Sequence, residues 1–307
     1  RHTRSIWVTG VQTCALPITL RTENGVVTDG VRRARYGELV AIARELEPPK
    51  AVRLKDPASF RFIGKTVPRL DSHEKVTGRA RFGLDVRRRD MLFAMVVRSP
   101  TFGGHALRYD SRAARAIPGV VDVRPLPTGI AVLATNTWAA RRGCDALEVE
   151  WDAGSGAHLS TAAIREDYRR RFASPGIVAK RTGDTDAALA RAARTIDVEY
   201  EVPFLAHACM EPLNCVAEVR DGECDVWTGT QFQSVDAEAA ARAAGVARDA
   251  VRIHTVFLGG GFGRRANPRS DFIVEAVQLA KLTERPVQVV WTREDDTRLY
   301  GDRKSVV

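Results

Sequence analysis

The stretch Leu258-Gly259-Gly260-Gly261-Phe262-Gly263-Arg264-Arg265 constrains this chain more than any other part of it. Four glycines within five residues lie between a predicted strand, 251–257, and a predicted helix, 271–282. Glycine is needed where the backbone takes positive φ or where another group must approach it closely. A phenylalanine inside such a turn suggests a backbone that closes on a ligand, with one aromatic face lining the space beside it. The spacing excludes two nucleotide loops. A dinucleotide fingerprint reads G-x-G-x-x-G and opens directly into a helix. Gly259, Gly261 and Gly263 give G-x-G-x-G instead, and Asn267-Pro268 delays the helix to about Ser270, a predicted N-cap. No Lys-Ser/Thr pair follows, so a P-loop is excluded as well. Two readings stay open at this point: an uncommitted strand-to-helix turn, or one wall of a binding site. A nucleotide-binding module using the turn is the alternative functional reading.

The 307 residues suit about two domains. No apolar run reaches the roughly 18 residues a membrane span needs, so none is predicted. Cys14, Cys144, Cys209, Cys215 and Cys224 are scattered without a CxxC pair, which argues against an iron–sulfur cluster or a zinc site on this chain. Both ends read as non-native: Val8–Ile18 (VTGVQTCALPI) and Asp302–Val307 (DRKSVV) resemble translated sequencing adapters, so residues 1–18 and 302–307 are set aside as tails. On that reading the chain is an internal piece of a longer protein. Setting the tails aside lowers the formal net charge from +9 to +6. The basic runs Arg87–Arg89 and Arg169–Arg171 have no interleaved aromatics. They are expected to be solvated faces rather than a nucleic-acid surface.

The pattern along the chain predicts an α+β fold. Residues 19–59 read as the tail of a preceding domain and a linker, with a hairpin over 20–28 and a helix over 36–46. Residues 60–152 read as a compact mixed unit. Its predicted strands are 91–97, 120–123, 130–134 and 147–151, with a short helix 113–117 and a helix 137–144 capped by Asn136. Residues 153–182 form a linker with a helix at 161–173, and a second unit spans 183–301. There a helix is predicted at 184–193, and the alternation of Ile196, Val198, Tyr200 and Val202 predicts a half-buried strand. Asp221-Gly222 predicts a hairpin between 216–219 and 224–227. A helix over 234–244 ends at Gly245, and a final strand spans 287–291.

Three segments of the second unit end on predicted strands, where loops gather to build sites. They are His207–Asn214 (HACMEPLN), Thr228-Gly229-Thr230-Gln231 and the glycine turn. A glutamine held at a strand end can donate its amide N–H to a negatively polarised oxygen, and so can the N–H groups of a glycine turn. His207 reads as an ordinary strand-end histidine.

With these pieces in order, the chain resembles the molybdopterin-binding large subunit of the xanthine dehydrogenase/aldehyde oxidase family, in its isoquinoline 1-oxidoreductase beta-like branch. The matching pieces are Ile63–Asp71 (IGKTVPRLD), Lys75–Ala80 (KVTGRA), Arg98–Pro100, Met210–Asn214 (MEPLN), Thr230-Gln231, GGGFGRR and Val290–Asp295 (VWTRED). The resemblance implies that 60–152 is an α/β hammerhead domain and 183–301 the first part of a molybdopterin-binding domain. It implies a molybdenum–molybdopterin cofactor, in the cytosine dinucleotide form, held near Gln231, Gly260, Gly261, Phe262, Gly263 and Arg264. Gln231 would hydrogen-bond an apical oxygen of the metal. No protein metal ligand and no iron–sulfur cluster is implied on this chain. The implied activity is oxidation of an N-heterocycle or aldehyde with water as oxygen source. Electrons would pass to a small [2Fe–2S] subunit, with a c-type cytochrome as a further candidate partner. The general-base glutamate of the family is expected downstream, so no catalytic residue is assigned here, the piece alone is expected to be inactive, and Glu211 is read as a structural carboxylate. Cys209 and Cys215 are expected to be buried thiols. Arg264 and Arg265 stand where other branches carry different residues. Either they help hold phosphates or a substrate carboxylate, or they face solvent. Cytoplasm and periplasm both stay open, because a twin-arginine signal of the branch would lie upstream.

Overall fold

The computed structural model describes residues 20–298 apart from Pro49 and Arg53. The adapter-like stretches lie outside the described residues. The chain divides between Arg69 and Leu70 into two units.

In the first unit, β1 (Arg21–Glu23), β2 (Val26–Thr28) and β3 (Arg33–Arg35) form an antiparallel sheet in that order. Helix α1 (Tyr36–Ala43) follows directly. The predicted hairpin is β1–β2, turning at Asn24-Gly25 with both residues at positive φ.

The second unit runs α2 (Ser72–Val76), β4 (Leu92–Val97), β5 (His105–Asp110), α3 (Arg112–Arg115), β6 (Val120–Leu126), β7 (Gly129–Ala134), α4 (Thr137–Asp145) and β8 (Glu148–Asp152). It continues through α5 (Thr161–Phe172), α6 (Thr185–Ala190), β9 (Asn214–Arg220), β10 (Glu223–Thr228), α7 (Gln233–Ala244), β11 (Val251–Thr255), α8 (Asp271–Thr283), β12 (Val287–Val290) and α9 (Arg293–Arg298). The fold is α+β, as the sequence pattern predicts. One seven-stranded sheet, in the order β11-β10-β9-β12-β4-β7-β6, joins strands from both of the units expected at 60–152 and 183–301. The glycine-rich stretch at 153–156 is therefore a connection between parts of one sheet, not a break in the core. β5 and β8 pair separately.

Alternation along the strands decides which helices cover which face. Leu92, Ala94 and Val96 of β4 share a core with Phe272, Ile273, Ala276 and Val277 of α8 and with Ala237, Ala240 and Ala241 of α7. The residue between them, Met95, packs instead with Ala139 and Ala140 of α4. Hence α7 and α8 cover one face and α4 the other. Asn136 caps α4 as predicted, accepting from Ala139 N–H at 2.8 Å. Gly245 ends α7 in the left-handed conformation.

Two expectations fail, the second in part, for identifiable reasons. Residues 196–202 form no strand, and Ile196, Val198, Tyr200 and Val202 are exposed. Among the described residues no neighbour supplies them with a ladder. Two of the acidic side chains between them turn to α5 instead, pairing Glu201 with Arg165 and Glu199 with Arg169. Ser270 holds the N-cap position of α8 as expected, but its side chain caps no N–H: it takes φ 49° and ψ 41°, and its Oγ donates to Asp236 Oδ1 at 2.6 Å. A hydroxyl committed to a buried carboxylate in this way leaves the helix N–H groups to other partners.

Candidate functional site

The sheet's register brings distant segments to one end. β10 and β11 are parallel, β9 runs against β10 and against β12, and β12 is parallel to β4. The C-terminal ends of β4, β10, β11 and β12 therefore lie at the same end of the sheet, together with the start of β9. Among the loops at that end are 209–213, 229–231 and 256–263, which fall within or overlap the three segments singled out in the sequence.

The glycine turn is built by close approach. A Cβ on Gly259 would run into the Cβ of Glu211, and one on Gly261 into the side-chain amide of Gln231. Gly260 and Gly263 take φ of 109° and 94°. Phe262 sits between them at φ 52°, a left-handed value that is costly for a bulky residue. The residue is 75 % exposed. The Gly263 N–H donates to Gln231 Oε1 at 3.1 Å. A backbone N–H needs an oxygen acceptor, so this bond fixes which way the amide faces, and Nε2 makes no hydrogen bond to the described residues. His207 lies beside Gly263 in a segment that is not strand, so it does not end one.

Arg264 and Arg265 are both 1 % exposed, which overturns the solvent-facing reading. Arg264 donates to both oxygens of Asp271 at 3.2 and 2.9 Å, lies 3.8 Å from Asp296 and stacks over Trp291. Its guanidinium thus faces the helix starts rather than open space. Arg265 donates to Gly260 O at 2.8 Å, Gly229 O at 3.1 Å, and Glu211 O and Oε2 at 3.0 Å each. Glu211 is a structural carboxylate, as expected. Besides Arg265 it accepts from Gly259 N–H at 2.9 Å and Leu84 N–H at 3.2 Å.

Below the loops lies a polar layer the sequence did not reveal. Asp236 accepts from the Thr230 hydroxyl and from Ser270. Burial pushes its carboxyl above the usual range, against those two hydrogen bonds. Arg293 donates to Cys209 O at 2.5 Å and Met210 O at 3.1 Å, anchoring the 209–213 loop. Glu275 accepts from Arg98 at 2.5 Å, Thr128 at 2.7 Å and Trp291 Nε1 at 2.9 Å. Arg98, Trp291 and Arg293 do sit inside quoted motifs, but nothing in their spacing marks them as partners. Asp236 and Glu275 carry no local signal at all. Cys209 and Cys215 are buried, as expected. Among the described residues no three His, Cys, Asp or Glu side chains gather as a metal site.

Residues 169–307 match the molybdopterin cofactor-binding domain family. Isoquinoline 1-oxidoreductase subunit beta of Brevundimonas diminuta is 32 % identical over 94 % of this chain and 42 % of its own length. The chain belongs to the molybdopterin-binding subunits of the xanthine dehydrogenase/aldehyde oxidase family. A protein of Gluconacetobacter polyoxogenes named membrane-bound aldehyde dehydrogenase [pyrroloquinoline-quinone] is 30 % identical over 92 % of this chain and 39 % of its own length. The chain thus spans less than half of these relatives. In fold it is similar to quinoline 2-oxidoreductase from Pseudomonas putida 86, with a TM-score of 0.59 and 20 % identity, covering 76 % of this chain and 35 % of that one. No helix among the described residues is long and apolar enough to cross a membrane.

Proposed function

We propose that this chain supplies part of the cofactor pocket of a molybdenum hydroxylase that oxidises an N-heterocycle or an aldehyde with water as the oxygen source. In this reading the electrons leave to a [2Fe–2S] partner, the cofactor is molybdopterin in its cytosine dinucleotide form, and residues 60–152 carry the hammerhead part of the fold. The observation that carries the reading is the orientation of Gln231. Its oxygen is held by Gly263 N–H, and its Nε2 is left as a donor beside the glycine turn. Such a donor set suits an oxo or phosphate oxygen on a group that brings its own metal ligands. The residues present therefore fit a molybdopterin group, which would supply the two-electron redox chemistry and an activated oxygen derived from water.

Within that pocket, Gln231 Nε2 and the N–H groups of Gly260, Gly261 and Phe262 would orient the group by donating to it, those of Gly259 and Gly263 being engaged within the protein. Phe262 presents an aromatic ring on which a flat substrate ring would stack. Gly260 and Gly261 keep the turn thin enough for close approach. The nucleotide-binding alternative loses its support here. The two arginines best placed to meet phosphates, Arg264 and Arg265, are buried and committed to carboxylates and carbonyls.

The experiment is to express the complete reading frame with its iron–sulfur partner in a host that makes molybdopterin. Bound molybdenum, released pterin and released cytidine nucleotide are then measured, and an N-heterocycle and aldehyde panel is assayed in ¹⁸O-labelled water. Stoichiometric molybdenum with label in the product is expected. Stoichiometric pyrroloquinoline quinone without molybdenum, or product free of label, would overturn the reading.

A further inference from the structure

We infer that Arg265, paired with Glu211, is the positioning residue that sets the relative placement of the three loops of the site. Its side chain is fully buried, yet it reaches carbonyls on three separate segments: Gly229, Gly260 and Glu211. Its own carbonyl accepts from Gln231 N–H at 3.1 Å. The Glu211 carboxylate adds Gly259 N–H and, through Leu84 N–H, a fourth segment. Glu211 N–H in turn donates to Gly259 O at 3.0 Å. One ion pair therefore touches segments 83–85, 209–212, 229–231 and 259–265.

The arrangement needs a guanidinium. A planar fork carries donors pointing in several fixed directions, whereas a lysine ammonium is a point charge with three donors at one place. Lysine could keep the pair with Glu211 but could not span carbonyls on both sides of the buried plane. The adjacent arginine is a natural contrast: Arg264 reaches Asp271 and Asp296 and lies over the Trp291 ring. Two neighbouring arginines in one turn thus divide the work. Arg264 fastens the turn to the helices behind it, and Arg265 fixes the loops to one another. That this placement serves a cofactor rests on the function proposed above; that it fixes the loops does not.

The test compares the full chain with Arg265→Lys, Arg265→Ala and Glu211→Gln, reading amide hydrogen exchange residue by residue. Arg265→Lys should raise exchange about tenfold or more at Glu211, Gln231, Gly259 and Gly263, while amides of β9 and β12 change less than about twofold. Millimolar guanidinium should restore protection in Arg265→Ala but not in Arg265→Lys, a rescue that a mere packing role would not give. Even loss of protection across the whole sheet, or unchanged loop amides in Arg265→Lys, overturns the inference. Should Arg265→Ala not fold, Arg265→Lys decides alone, since it keeps the charge and most of the volume. In the complete frame, Arg265→Lys should also retain less than about a tenth of the wild-type molybdenum, a coupling energy of the usual size. Loosened loops with equal molybdenum in both proteins would overturn the positioning role toward the cofactor. Loosened loops with no molybdenum even in wild type would sink the proposed function and leave the loop-fixing role standing.

Discussion

Gln231 and Gly263 are tied by a single hydrogen bond, from the glycine N–H to Gln231 Oε1 at 3.1 Å, and that bond decides what the amide can offer a ligand. Gln231→Glu keeps the acceptor and the shape but replaces the remaining N–H donor with a second oxygen. Unfolding stability should move by no more than about 0.5 kcal/mol, because the residue lies on the surface. Bound molybdenum in the complete protein should fall at least about tenfold if that donor is worth an ordinary charge-assisted hydrogen bond. Urea titration and metal analysis of the same preparations check both halves.

Glycines at two turns should respond differently to alanine. At Gly261 the added methyl collides with the Gln231 amide, so either the turn or the glutamine must move. Overpacking of this kind costs about 1–3 kcal/mol and should abolish cofactor retention. At Gly222, in the hairpin between β9 and β10, a Cβ meets nothing within 4 Å, and only its φ of 78° penalises the change. Gly222→Ala should cost about 1–2 kcal/mol and leave cofactor retention intact. Equal retention in the two variants would contradict the close-approach account of the turn.

Asp236 should give the chain a pH dependence of unusual sign. Burial raises its folded-state pKa above the unfolded value, so the folded chain holds the proton more tightly. The resulting stabilisation is fully present below the unfolded value of about 4 and is lost as pH rises through the raised folded pKa. Asp236→Asn cannot ionise and should remove that part of the slope. Denaturation midpoints collected from pH 4 to 8 for both proteins measure the difference, and parallel curves would refute it.

The four cysteines among the described residues, three buried and Cys144 half-buried, should be inert while the fold holds. Burial pushes the Cys144 thiol up to about 12 and the Cys224 thiol up to about 11, and raises Cys215 and Cys209 as well. Thiolate, not thiol, is the reactive form. In a Cys14→Ser background, a thiol reagent at pH 8 should label these four positions only when denaturant is added. Rapid labelling of Cys209 in native buffer would show that the 209–213 loop opens readily.

Local chemistry was readable where a residue's neighbours in sequence settle its structure. Asp221-Gly222 gave the hairpin, Asn136 the cap of α4, Gly245 the end of α7 and the glycine run a thin turn. Residues whose partners lie far along the chain were misread or missed. Ile196 to Val202 alternates correctly for a strand, but pattern cannot provide a neighbouring ladder. Ser270 precedes a helix as a cap would, yet Asp236, thirty-four positions away, takes its hydroxyl. For Arg264 and Arg265 the sequence leaves a ligand-holding and a solvent-facing reading open, because the acceptors that make their burial tolerable, at residues 211, 229, 260, 271 and 296, are not marked by any local pattern.

The place of β12 in the sheet carries a consequence for how the chain comes together. It is the last strand among the described residues and yet lies between β9 and β4, bonded to both. During synthesis, β4, β6 and β7 can associate early and β9 to β11 later, each through near neighbours. Neither group can join the other until residues 287–290 have emerged. Until then both keep an unpaired inner edge, the kind of surface that recruits foreign strands. Assembly of this sheet is therefore a late, long-range closure. A nascent chain stalled just before β12 would be a substrate for chaperones rather than a folded intermediate.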